Sequence, residues 1–208
     1  MSIILFEGMD GSGKSTLVKA VAEALDAKGK TVRIQAFPSH DGPIGQFIRE
    51  ALFTGEAKVD ERAMLPIMVA DALDFDKKIG DWDKEFDFVL LDRHSMISAW
   101  AYQLGPHTPS GVAALASPSL FENLPSTIFI LDVPEEVAME RRSARGEKAN
   151  PLYEKGIEYT RSLRARYMAV QAIFAENAPV MTIDGSKPTE LLTEIIVESL
   201  LQAQSKAA

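Results

Sequence analysis

The sequence predicts an α/β fold: a five-stranded parallel sheet covered by helices. Three observations lead there. Five short runs are rich in β-branched and aromatic residues, at Ser2–Phe6, Thr31–Phe37, Phe86–Leu91, Thr127–Val133 and Val180–Ile183. Most are nearly continuous in apolar character, the pattern of strands buried on both faces. Helical stretches separate them, and this alternation implies parallel strands with crossover helices. Polar residues also appear abruptly at the ends of the first four runs. Ligands of such sheets sit beyond the C-terminal strand ends. That edge should therefore carry Glu7–Ser15, Phe37–His40, Asp92–His94 and Asp132–Pro134.

The elements follow in order. Ser2–Phe6 is short and ends at Glu7, without a basic leader or a small-residue cleavage site. It reads as a first strand rather than a signal peptide. Helices are predicted over Lys14–Lys28, Ile44–Phe53, Glu61–Asp81, Ile97–Gln103, Glu135–Ala144, Tyr153–Ala175 and Pro188–Ala203. Gly29 and Gly185 stand at element ends, where glycine is useful. The polar tail Gln202–Ala208 is expected to fray. The 208 residues suit one domain with a substantial core.

Net charge is −8, from 22 Lys and Arg against 30 Asp and Glu. This argues against broad binding to a nucleic-acid backbone, although a small anion needs only a local group of donors. No cysteine is present, which excludes disulfides and thiolate metal sites. No long apolar run predicts a membrane span, and a cytoplasmic location is expected.

Gly8-Met9-Asp10-Gly11-Ser12-Gly13-Lys14-Ser15 matches G-x-x-x-x-G-K-[ST]. The glycines let backbone N–H groups close on phosphate oxygens, and the following helix points its positive end at the same anion. Lys14 can reach the β- and γ-phosphates of a nucleotide, and the Ser15 hydroxyl can ligate Mg²⁺. An accidental match of this kind arises about once in a hundred chains of this size. Here the segment Gly8–Thr16 also follows a strand and opens a helix, as a phosphate loop requires. The loop points to ATP, but leaves GTPase, ATPase, small-molecule kinase and transport ATPase open. Neither a guanine-reading N-K-x-D nor a D-x-x-G switch stands in a suitable place.

Two further sites favour a kinase. The run Val89–Leu91 ends in Asp92 and Arg93. Asp92 could hold Mg²⁺ through water, and Arg93 could clamp a phosphate with its planar fork. The bland alternative is a surface ion pair. Arg141, Arg142, Arg145 and Lys148 fall within eight residues at a predicted helix end. Cations are favourable there in any case. Arg141 and Arg145 nevertheless share one helix face ahead of a flexible segment, which suits a lid over about 141–154.

These pieces, in order, resemble the thymidylate kinase family: the phosphate loop, Phe37-Pro38, Gly42-Pro43-Ile44-Gly45, Asp92-Arg93-His94, Ala101-Tyr102-Gln103, Leu131-Asp132-Val133-Pro134, Arg145-Gly146-Glu147, Arg164-Ala165-Arg166-Tyr167 and Ile183-Asp184. The resemblance spans nearly the whole chain. It implies one nucleoside monophosphate kinase domain over 1–208, with the P-loop NTPase sheet order 2-3-1-4-5, and ATP with Mg²⁺. It also implies a homodimer with Ile44–Phe53 and Glu61–Asp81 near the interface. Gly8–Thr16 and Arg141 would bind ATP. Ser15 and Asp92 would serve the metal. Lys14, Arg93, Asp10, Arg142 and Arg145 would act in transfer. Phe37, Pro38, His40, Met68, Asp71, Arg93, Tyr102 and Gln103 would surround the acceptor, with Asp10 near its 3′-hydroxyl and Tyr102 against its deoxyribose. Because Gly11 and Ser12 leave no arginine in the loop, the chain resembles members that keep their basic residues in the lid.

The acceptor side departs from the family pattern. Met68 stands where an aromatic is usual, Ala72 where an arginine reads the thymine edge, and Ser39-His40 where an arginine follows Phe-Pro. Asn150-Pro151-Leu152-Tyr153-Glu154 replaces a common acidic pattern. Asp71 or Gln103 could supply the missing base-edge group. The expected reaction is phosphorylation of a deoxynucleoside monophosphate by ATP, dTMP to dTDP first among them. A different or 5-modified deoxynucleoside monophosphate is the alternative, and a deoxynucleoside kinase is the second.

Overall fold

The computed structural model describes residues 2–51, 58–102, 108–115, 117–144, 156–174, 176 and 178–207. The five strands are β1 (Ile3–Gly8), β2 (Val32–Ala36), β3 (Phe88–Asp92), β4 (Thr127–Asp132) and β5 (Val180–Asp184). All pair in parallel, in the order β2-β3-β1-β4-β5. The predicted sheet order is therefore the observed one. The register aligns the C-terminal strand ends: Phe6 lies opposite Asp92, Ala36 opposite Asp92, Gly8 opposite Leu131, and Asp132 opposite Asp184.

Alternation along the strands divides the interior into two cores, because successive side chains leave opposite faces of a sheet. Ile3, Leu5, Val89, Leu91, Ile128 and Ile130 pack on one face with α3 (Glu61–Glu85), α4 (Ser95–Tyr102) and α7 (Ile157–Phe174). Ile4, Phe6, Leu90, Phe129 and Leu131 pack on the other with α1 (Lys14–Asp26) and α8 (Thr189–Ala207). The remaining α-helices among the described residues are α2 (Pro43–Arg49), α5 (Pro109–Leu115) and α6 (Glu135–Ala144), with a short 3-10 turn at Pro118–Leu120.

Several boundaries differ from those read in the sequence. β1 runs through Glu7 to Gly8, so the acid that closes its apolar run is part of the strand and has no exposure. α3 continues to Glu85, and Pro66 sits within its second turn. Its start is capped by Asp60, whose carboxylate accepts the Arg62 N–H at 2.9 Å. Helix α5 forms although Pro109-Ser110-Gly111 is loop-like in composition. Instead of fraying after Gln202, α8 continues to Ala207, and Gln204 Nε2 donates to Asp87 Oδ1 at 3.4 Å. No described helix is long and apolar enough to cross a membrane.

Candidate active site

The phosphate loop joins the centre of the sheet to α1. Gly8, Gly11 and Gly13 all have positive φ, at 143°, 86° and 96°. At Gly11 a side chain is also excluded by packing, since a Cβ would lie 2.3 Å from the Ala138 carbonyl oxygen of α6. α1 begins at Lys14 after an N-cap glycine, Gly13, with no side-chain cap and no acidic residue in its first turn. Its free N–H groups and positive dipole end are thus left for an anion. Lys14 is buried, with its Nζ donating to the Met9 carbonyl at 3.0 Å. Desolvation, reinforced by the Arg93 charge, pulls its ammonium down to about 8.

Ser15 begins the exposed side of α1, and its Oγ donates to Asp92 Oδ2 at 2.5 Å. These two hard oxygen ligands stand beside the loop. Such a pair fits Mg²⁺, which keeps several waters and takes its remaining oxygens from phosphates. Among the described residues no cluster of three acidic or imidazole groups could hold a metal by itself. A cleft of about 450 Å³ adjoins Ser15 and Thr16 and is bordered by Lys19, Glu23, Thr189 and Glu190. Arg141, on α6, donates from Nη1 to the Ser12 carbonyl at 3.2 Å and to the Gly185 carbonyl at 3.1 Å. It ties the phosphate loop to the turn after β5. Arg142 follows it on α6, partly buried. Arg145 lies outside the described residues.

Arg93 continues from β3 with φ 75°, a left-handed conformation costly for a residue with a side chain. Its backbone N–H donates to the Phe6 carbonyl at 2.9 Å, which fixes the turn against β1. The guanidinium is surrounded. Nη2 donates to Asp10 Oδ1 and, at 3.1 Å, to the Tyr102 hydroxyl. Nη1 donates to the Tyr167 hydroxyl at 2.9 Å and lies 3.6 Å from Glu7 Oε2. The Tyr102 hydroxyl donates to Asp10 Oδ2 at 3.0 Å. Desolvation opposes charge on Asp10, but Arg93 and Lys14 outweigh it and hold its carboxyl well below the usual carboxylate range. Burial pushes the Tyr102 phenol far up, so it stays protonated.

The residues after β2 pack tightly. The Phe37–Pro38 bond is cis. Phe37 is buried edge-on to Phe75, at 5.8 Å between ring centres, and to His94, also at 5.8 Å. Asp71 of α3 is fully engaged: its carboxylate accepts the Ser39 N–H at 2.7 Å and the Ser39 hydroxyl at 2.6 Å. Ser39 is thus a buried anchor, and Asp71 holds the loop after β2. His40 is exposed, and Met68 is partly buried against the core. Ala72 has no exposure and offers neither donor nor surface. Gln103 lies outside the described residues.

Three contributors went unassigned in the sequence. Glu7 accepts the His94 N–H at 2.9 Å and the Ser98 hydroxyl at 3.0 Å through Oε1. Tyr167 donates to its Oε2 at 3.1 Å. His94 is buried between Phe37 and Phe121, and desolvation pulls its imidazole down to about 4, so it is neutral. Glu7 carried a usable signal, an acid within a strand buried on both faces. Tyr167 stood within the family-like Arg164-Ala165-Arg166-Tyr167 but without a role, since an aromatic on an amphipathic helix usually reads as core.

The thymidylate kinase family model matches residues 6–196, from the end of β1 through the phosphate loop and into α8. The chain belongs to the thymidylate kinase family. It is 30% identical to the thymidylate kinase of Alcanivorax borkumensis, with 97% of each chain aligned. It is 32% identical to that of Thermosipho africanus over 96% of this chain and 99% of the relative. It is 36% identical to a probable thymidylate kinase of Methanothermobacter thermautotrophicus over 91% and 89%. Family membership makes ATP the expected phosphoryl donor and a nucleotide the expected acceptor.

Proposed function

We propose that this chain transfers the γ-phosphoryl group of ATP to dTMP, giving dTDP, as a cytoplasmic enzyme. One observation carries the reading. The phosphate loop supplies Lys14 and Ser15 on its donor side and Asp10 on the other, and Asp10 is bound directly to the Arg93–Tyr102 cluster. Donor and acceptor anions would thus be held from one loop, which is the positioning that phosphoryl transfer needs.

In this reading Gly8–Thr16 cradles the ATP phosphates, with Arg141 stiffening the loop from below. Ser15 and Asp92 would hold Mg²⁺, which when bound neutralises charge on the phosphates. Arg93 receives the acceptor phosphate, and Asp10 and Tyr102 receive the deoxyribose. Phe37, Pro38 and Met68 border the base, with His40 and Gln103 at the margin. Arg142 and Arg145, in a lid over about 141–154, supply charge at the transferring group in place of a loop arginine. No general base is required, because the acceptor phosphate is already ionised at neutral pH. Phe47 on α2 is 41% exposed and Leu73 on α3 is 39% exposed, which supports a homodimer through those helices.

The test is Lys14→Ala assayed against a panel of nucleoside monophosphates with ATP. The variant should keep the wild-type circular dichroism and lose transfer by about 10²–10³-fold, as for other preorganised charges. Near-normal turnover would refute the assignment. Preference for another deoxynucleoside monophosphate, or a 5-modified one, is the second reading. Buried Ala72 and engaged Asp71 favour it, because neither reads a thymine edge. Turnover of deoxynucleosides rather than monophosphates would point instead to a nucleoside kinase. That chemistry would need a base such as Asp41, which is exposed.

A further inference from the structure

We infer that Tyr167 and Glu7 are positioning residues for acceptor binding, acting through Arg93. The inference rests on the proposed role of Arg93 toward the acceptor phosphate. A guanidinium that is to receive a phosphate must present one edge and have its rotation fixed from the other side. Arg93 is 15% exposed, and its two terminal nitrogens face different partners. Nη2 meets Asp10 and Tyr102, both within the nucleotide cluster. Nη1 meets Tyr167 and Glu7, which are 1% and 0% exposed.

The inner pair is built with directional hydrogen bonds. The Tyr167 hydroxyl has one proton and donates it to Glu7 Oε2, so its oxygen can only accept from Arg93. Glu7 Oε1 is occupied by the His94 N–H and the Ser98 hydroxyl. The carboxylate therefore cannot rotate without losing bonds, and the phenol is aimed at Arg93. Desolvation holds the Glu7 carboxyl above its usual range, opposed by the Arg93 charge and by the His94 N–H and Ser98 hydroxyl. The Tyr102 and Tyr167 rings also meet edge-on, with centres 6.2 Å apart, so the two hydroxyls bracket the guanidinium from α4 and α7. Among the described residues, Tyr167 meets the proposed nucleotide site at Arg93 and Tyr102.

The test uses the full-length enzyme, with dTMP and ATP as probes. Tyr167→Phe removes only the hydroxyl. The KM for dTMP should rise about tenfold, since a bond to a charged group is lost, and the KM for ATP should stay within about twofold. Leu200→Ala, in the core under α1 and α8 on the opposite face of the sheet, serves as the stability control. It should lower Tm without moving either KM. Glu7→Gln keeps the shape but presents an N–H to Tyr167, and should also raise the dTMP KM selectively. In an Arg93→Lys background, Tyr167→Phe should have no further effect on it. If Arg93→Lys raises the dTMP KM while both Tyr167→Phe and Glu7→Gln leave it unchanged, the inference is overturned and the role of Arg93 stands. If Arg93→Lys itself leaves that KM unchanged, both fall. Equal rises in the two KM values with a loss of Tm would mark Tyr167 as structural only and also overturn the inference.

Discussion

Lys14 and His94 have titrations displaced by burial, and each yields a measurable consequence. The Lys14 ammonium is held down to about 8, so near pH 8 about half the molecules carry it neutral. Bound phosphates would favour the charged form. ATP binding at pH 8 should therefore take up roughly half a proton, seen by calorimetry in buffers of different ionisation enthalpy. That uptake should vanish in Lys14→Met. His94 remains neutral down to about 4 in the native state, whereas the unfolded residue protonates near 6.5. Between these values the unfolded chain binds more protons, so stability falls as pH falls through the window. The loss is on the order of 3 kcal/mol by pH 4. Urea unfolding from pH 7 to 4 should show a shallower decline for His94→Gln. Equal declines would disprove the contribution.

Helix α3 determines the shape of the acceptor side in ways its own sequence does not announce. Asp71 fixes Ser39, while Asp76 accepts the N–H groups of Glu122 and Asn123 at 2.9 and 3.2 Å. The second latch holds the segment bearing Phe121, whose ring meets His94 at 4.6 Å. Gly80 lies where Asn123 comes closest: a Cβ there would be 2.3 Å from its Oδ1. By helix propensity alone, Gly80→Ala should stabilise by about 1 kcal/mol. Because Asn123 is tied to Asp76 by its amide as well, the substitution should instead destabilise by about 1–3 kcal/mol. In an Asn123→Ala background the sign should reverse. Chemical denaturation of the four proteins would decide, and an additive cycle would contradict the contact.

Across the whole molecule, the two cores divide the work. The core under α1 and α8 contains the strand side chains opposite those that face α3, α4 and α7. Arg93, Tyr102 and Tyr167 come from the latter side. A cavity in the α1–α8 core should therefore cost stability without altering acceptor recognition. Leu200→Ala, at a residue 4% exposed, should cost about 2–5 kcal/mol. Both KM values should stay unchanged well below Tm. A selective rise in the dTMP KM would show that the cores are coupled.

The strand runs and the phosphate loop were legible in the sequence because each follows from local pattern, whereas the strand order was implied by the family resemblance. Continuous apolar segments need burial on both faces, alternation with helices forces parallel crossovers, and a Gly-rich turn before Lys14 and Ser15 is useful only around an anion. Asp92 and Arg93 were legible for the same reason, as polar residues at a strand end. What the tertiary structure decided is the partnership of those groups. That Asp71 serves Ser39, and that Tyr167 and Glu7 stand behind Arg93, depend on residues 32 to 160 positions apart in the chain. Such contacts have no local period or spacing, and arise only when the register of the sheet and the packing of α3, α4 and α7 bring them within hydrogen-bond reach.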